Sequence, residues 1–202
     1  MKRLFQAYKP LDLLGRGQYG VAVLLRSPTT GDMVVSKQIS GIDGMGRNEL
    51  EKVENERRIL ELMQHEHIIS YFCSWYEAGT LHLVMEYAEG GTLADHISAQ
   101  AAVHDHFPTV IVYQWLRQLS SALQHVHLHR VLHRDLKTQN VFLTSTGSVK
   151  LGDFGISKVS PVAIPRWGAM HAYTRSLRRH YPPALTSRTQ CAARRTIYPL
   201  SS

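Results

Sequence analysis

Apolar residues recur along the chain with two periods. Over residues 109–129, Val112, Leu116, Leu119, Leu123 and Val126 follow one another at alternating steps of four and three, which predicts a long helix. Ile111, Trp115 and Ala122 add a second apolar face, so this helix expects cover on two sides. Residues 48–64 predict another helix. At about 100° per residue, Val53, Ile59, Leu60 and Met63 fall within roughly 60° of Glu56. Glu51, Glu54 and Glu61 point to the opposite side, and Glu49 shares the apolar face at the frayed end. Residues 92–100 read as a short helix. The runs 11–14, 21–25, 33–39, 68–76 and 81–86 read as strands. So do 141–143 and 149–151, joined by the turn Thr144-Ser145-Thr146-Gly147. The stretch Glu86-Tyr87-Ala88-Glu89-Gly90-Gly91 breaks the pattern as a hinge between two lobes would.

Composition narrows the setting. The chain has 202 residues, enough for one domain and a tail, and 44% are hydrophobic, which suffices for a packed core. Two cysteines, Cys73 and Cys191, without a C-x-x-C, argue against a disulfide framework and for a reducing compartment. No apolar run of about 18 residues exists, so no membrane insertion is expected. Met1-Lys2-Arg3-Leu4-Phe5 lacks the apolar region of a signal peptide, so the expected location is cytoplasmic. The net charge of +7 resembles a nucleic-acid signal, but its placement argues against that partner. Residues 159–202 hold seven Arg and no Lys, Asp or Glu, whereas residues 1–158 hold 16 basic and 16 acidic residues. The chain changes character near residue 159.

Candidate chemistry sits on this framework. Gly15-Arg16-Gly17-Gln18-Tyr19-Gly20 is a G-x-G-x-x-G between two strands. A dinucleotide fingerprint runs instead from a strand into a helix, so the context favours a loop whose backbone closes over ATP phosphates. Lys37, on the third strand, is the candidate phosphate lysine, and a plain exposed lysine is the rival reading. Glu56, in the middle of a buried stripe, needs a cationic partner, and Lys37 is the natural one. Pairing with Arg57 or Arg58 on a helix surface is its rival. Met85 would lie at the back of an adenine pocket, with backbone groups of Glu86, Tyr87 and Ala88 at the adenine edge. His133-Arg134-Asp135, Asn140 and Asp153-Phe154-Gly155 form the second cluster. This cluster resembles the catalytic and metal-binding loops of protein kinases, and that resemblance implies that Asp135 would take the proton of an attacking hydroxyl while Asn140 and Asp153 would hold Mg2+. The apolar hairpin 141–151 is expected to bring Asp153 beside Asn140. His125 and His129 have zinc-compatible i,i+4 spacing but no third ligand nearby in sequence, and read as surface histidines.

With these residues in hand, the chain resembles the eukaryotic protein kinases, and among them the NIMA-related (NEK) serine/threonine kinases. The likeness is carried by HRDLKTQN at 133–140, GDFGISK at 152–158, MEYAEGGTL at 85–93 and ENERRIL at 54–60, and it covers about residues 8–158. It implies an α+β fold: a small lobe (8–87) with a five-stranded antiparallel sheet and one helix, then an incomplete, mainly helical large lobe (88–158). Residues 1–7 would be a lead. The implied activity is transfer of the ATP γ-phosphoryl group to a Ser or Thr hydroxyl of a protein substrate, with ATP and Mg2+ as cofactors. Lys137 would neutralise the transferred charge. Cytoskeletal, centrosomal or ciliary partners, and a centrosomal or ciliary location, would follow from the same likeness. The alternative is a catalytically inactive kinase-like fragment that titrates partners of a longer kinase.

Three departures from the family pattern stand out. Ala22 stands where the family has valine and Val35 where it has alanine, so the volume covering one face of adenine is roughly kept. The family's activation segment is not legible after Lys158, so turnover by this chain is expected to be poor. The 159–202 stretch is expected to be a disordered tail, read as translated intron or an alternative end. Its rival is a genuine basic tail that binds anionic partners.

Overall fold

A computed structural model of the chain describes residues 5, 7–17, 20–155 and 157–159. Gln18 and Tyr19, and the 160–202 stretch read as a tail, lie outside the described residues. Five strands form one antiparallel sheet in the order β1-β2-β3-β5-β4: β1 (Lys9–Gly17), β2 (Gly20–Arg26), β3 (Met33–Ser40), β4 (Tyr71–Glu77) and β5 (Thr80–Glu86). Helix α1 (Arg47–Leu62) connects β3 to β4. A tight turn at Ala78-Gly79 joins β4 to β5, as the short apolar runs between turn residues require. Alternation along the strands gives the sheet two apolar faces. Ile39, Leu81 and Leu83 join Val53, Ile59 and Leu60 of α1 in the main core. On the other face Phe5, Leu25, Val34, Trp75 and Val84 form a smaller core, in which the Phe5 ring stacks on Phe72 with centroids 5.8 Å apart.

The second lobe begins with α2 (Leu93–Ala102), capped by Thr92 Oγ1, which accepts from Asp95 N–H at 3.1 Å. Helix α3 (Thr109–Leu128) follows, then β6 (Val131–Leu132), the hairpin β7 (Val141–Leu143) and β8 (Val149–Leu151), and β9 (Lys158–Val159), which pairs with β6. Side chains of α3 clip the hairpin in place. Trp115 Nε1 donates to Gly147 O at 3.0 Å, and Gln118 Oε1 accepts from Val149 N–H at 2.8 Å.

Three expectations change. The strand predicted from residue 68 begins at Tyr71, because the backbone before it pairs with β8 instead. Ile69 N–H donates to Leu151 O at 2.9 Å, and Leu151 N–H donates to His67 O at 2.8 Å. The buried face of α3 is also narrower than its apolar pattern. Ala122 and Val126 are fully buried, and Trp115, Leu119 and Leu123 pack on the core, but Val112 and Leu116 are 38% and 47% exposed. His125 and His127 are half-buried rather than on the surface, and only His129 of the three is exposed. Among the described residues no group of three or more His, Cys, Asp or Glu is placed to hold a metal, and no helix is long and apolar enough to cross a membrane.

Candidate active site

The inner face of the sheet carries the first half of the site. Ala22 pairs with Lys37 across β2 and β3, and Val35 pairs with Met85 across β3 and β5. All four side chains point to the face that bears Ile39, Leu81 and Leu83. At the tip of the β1–β2 hairpin, Gly15, Arg16 and Gly17 face Ala22, Val21 and Gly20. A Cβ at Gly20 would lie 1.8 Å from Gln38 O, so only glycine fits there. A Cβ at Gly15 would meet nothing within 4 Å, which leaves that side of the loop open.

Lys37 Nζ lies 2.6 Å from Glu56 Oε1 and 3.9 Å from Asp153 Oδ1. The Glu56 side chain is 8% exposed, so it shows the carboxylate–cation pairing that burial demands. The rival partners are engaged elsewhere: Arg57 bonds Glu54 and Glu61, and Arg58 bonds Glu54. Those bonds hold the Glu54 carboxyl below its usual range and the Arg57 guanidinium above its own.

Beyond β5 the chain runs through Glu86, Tyr87 and Ala88. The Glu86 side chain turns from the cleft: Lys150 Nζ lies 2.7 Å from its Oε1, and its Oε2 accepts from Ser70 N–H at 3.0 Å. Only its backbone is left for an adenine edge. Ala88 is buried, and its carbonyl accepts from Gly91 N–H at 3.3 Å. Phe142, half-buried on β7, bridges to Thr92 and lies against Gly152, where an added Cβ would be 2.8 Å from its ring.

The second half of the site is a loop between β6 and β7. Asp135 Oδ2 accepts from Lys137 Nζ at 2.8 Å and from Asn140 Nδ2 at 2.9 Å, and Asn140 Nδ2 also donates to Asp135 O at 2.8 Å. The bond from Lys137, and next that from Asn140, hold the Asp135 carboxyl below the usual aspartate range. The bond to Asp135 likewise holds the Lys137 ammonium above the usual lysine range, and the charge of Asp153 adds to it. With Asn140 Nδ2 committed to these bonds, Oδ1 is the atom of this side chain that could hold a cation. Gly152 N–H donates to Asn140 O at 2.9 Å, which brings the start of the Asp153 turn against Asn140. Asp153 and Arg134 have φ of +57° and +65°, a region that non-glycine residues seldom adopt. The turn is pinned from below by Phe154, fully buried, whose ring meets that of His133 edge-on at 4.8 Å. His133 Nε2 donates to Gly152 O at 2.9 Å.

The structure thus brings together Lys37, Glu56 and Asp153, and separately Asp135, Lys137 and Asn140. Lys150, Phe142, Asn55 and Ser157 were not singled out from sequence. Lys150 alone had a legible signal, a cation between two apolar residues of a short buried strand.

The protein kinase domain family matches residues 8–173, beyond the change in character near 159. Similar chains include the serine/threonine-protein kinase Nek1 of Mus musculus, 41% identical over 154 residues that make up 76% of this chain and 13% of that one. Serine/threonine-protein kinase Nek5 of Homo sapiens is 39% identical over 153 residues, 75% of this chain and 21% of its own. Serine/threonine-protein kinase Nek3 of Mus musculus is 35% identical over 158 residues, 77% of this chain and 30% of its own. This chain therefore spans less than a third of the length of each of these relatives. The matching domain and the shared likeness make the chain a member of the protein kinase family, of the Nek serine/threonine type.

Proposed function

We propose that this chain binds ATP with magnesium between the sheet and the 133–155 loops and transfers the γ-phosphoryl group, at a low rate, to a Ser or Thr hydroxyl of a protein. The observation that carries this is the Lys37–Glu56 pair at 2.6 Å with Asp153 at 3.9 Å from the same ammonium. Lys37 and the open glycine-rich loop would hold phosphate oxygens, Ala22, Val35 and Met85 would enclose adenine, and Phe142 would floor it. Asn140 Oδ1 and the Asp153 carboxylate fit magnesium, a hard cation that takes few protein oxygens and completes its shell from phosphates and water. Bound there, magnesium would neutralise charge on the phosphates. Asp135 would align the acceptor hydroxyl and receive its proton as the new O–P bond forms and the bond from the γ-phosphorus to the bridging oxygen breaks, releasing ADP. Its lowered pKa makes it a weak base, so alignment is its larger contribution. Lys137 would steady the charge on the moving phosphoryl group. Residues 8–87 and 88–158 are the proposed lobes, residues 1–7 a lead and 159–202 a tail, in a cytoplasmic protein.

The exposed Val112 and Leu116 favour a second reading, in which the chain binds partners of a longer kinase without turnover. Transfer of γ-labelled phosphate to a mixed Ser/Thr/Tyr substrate separates the two. The first reading expects label on Ser and Thr that Asp135→Asn abolishes. Nucleotide binding with no transfer above that control would favour the second.

A further inference from the structure

Helix α1 must be held in one place for Glu56 to reach Lys37, yet most of what holds it is non-directional. Val53, Ile59 and Leu60 bury apolar surface, which fixes the buried face but resists small slides and rotations weakly. The Lys37–Glu56 pair is directional but cannot act alone, since Lys37 has a second carboxylate, Asp153, at 3.9 Å. A slide of α1 would let the ammonium trade one for the other.

One side chain of α1 ties the helix to the far side of the site. Asn55, adjacent to Glu56, donates from Nδ2 to Ser157 O at 3.0 Å. Ser157 is buried, and its Oγ donates to His133 O at 3.0 Å. His133 in turn donates to Gly152 O. An unbroken run of hydrogen bonds therefore leads from the residue beside Glu56, through the backbone just after Asp153-Phe154-Gly155, to the loop that carries Asp135. The three donors are placed on backbone carbonyls and take no part in the proposed nucleotide contacts.

We infer that Asn55 is a positioning residue: its bond to Ser157 O holds Glu56 on Lys37 and Lys37 off Asp153, so phosphate-binding and metal-binding groups are available together only while the segment through Ser157 is seated. This rests on the nucleotide-binding reading above and deepens it. Without the Asn55 donor, α1 drifts, Lys37 is shared with Asp153, and both lose their aim at phosphate and cation. The adenine pocket, built from β2, β3 and β5, is untouched.

The test compares two ligands on the whole chain, Mg-ATP and adenosine, by calorimetry. Asn55→Ala and the near-isosteric Asn55→Leu should weaken Mg-ATP by roughly two- to tenfold, the span set by one ordinary hydrogen bond, and leave adenosine unchanged. In a Glu56→Gln background, Asn55→Ala should have no further effect on Mg-ATP, because Asn55 acts through the seat of Glu56. Wild-type affinity for Mg-ATP in both Asn55 variants would overturn the inference, as would equal loss of both ligands, which marks general loosening. Failure of the wild-type chain to bind either ligand would overturn the nucleotide reading itself and this inference with it.

Discussion

Half-buried Asp135 and exposed Lys137 show how two side chains define each other. Their bond lowers the carboxyl pKa and raises that of the ammonium. Asp135 therefore stays ionised and able to accept a proton as pH falls through the ordinary aspartate range, about 4. A pH–rate profile should show no Asp135 limb at or above that range. In Lys137→Met the largest cause of the shift is gone, so the acid limb should move up as the rate falls; an unmoved limb would contradict the pairing. At this scale the sequence was informative where two requirements met. Glu56 could be matched to Lys37 because helix periodicity put one carboxylate among apolar neighbours. The Asn55–Ser157 bond was not legible, since an asparagine beside a glutamate on a helix carries no sign of a carbonyl 102 positions away.

Elements were legible wherever a pattern ran for several turns or strands, and their partners were not. The apolar stripe of α3 gave its extent but not its buried face, because both apolar faces look alike without knowledge of what covers them. The structure decides between them, and truncation tests the decision. Ile59→Ala, which empties a fully buried site on α1, should cost about 2–5 kcal/mol. Leu116→Ala, on the exposed side of α3, should stay within about 0.5 kcal/mol in denaturant unfolding. The junction between α1 and α3 adds a pH dependence. The His65 and His125 rings lie 5.1 Å apart, with His67 and His129 beside them. Burial lowers the pKa of His65, His67 and His125. The charge of Glu66 opposes the shifts of His65 and His67, and Lys150 adds to them, as does Arg117 at His67. Each folded pKa lies below its unfolded value near 6.5, so the unfolded chain binds more protons in acid. Stability is then full above about pH 6.5 and falls as pH drops through the folded values. Melting temperature should decline from pH 7.5 to 5.5, and less steeply in His125→Phe; equal slopes would contradict the burial account.

At the scale of the molecule, the site exists because two hydrogen-bonded units face each other: a sheet with α1 on its inner face, and a pair of loops braced by α3 and β8. The backbone at 67–69 laces onto Leu151 and joins them, a link that no local pattern announces because its two sides are more than 80 residues apart. The sheet order was more accessible, since three of its four connections are short links between neighbouring strands and only the one through α1 makes a crossover. The smaller core on the outer face, with Phe5 stacked on Phe72, was missed because one aromatic in a short lead has no period to read. The central claim is that the two units together form one nucleotide site, and its most direct test is the melting temperature of the chain with and without Mg-ATP. A ligand that binds only the folded state raises it. The account predicts a rise in the wild type that Lys37→Met and Asp153→Ala each abolish, and a rise that persists unchanged in both variants would contradict it.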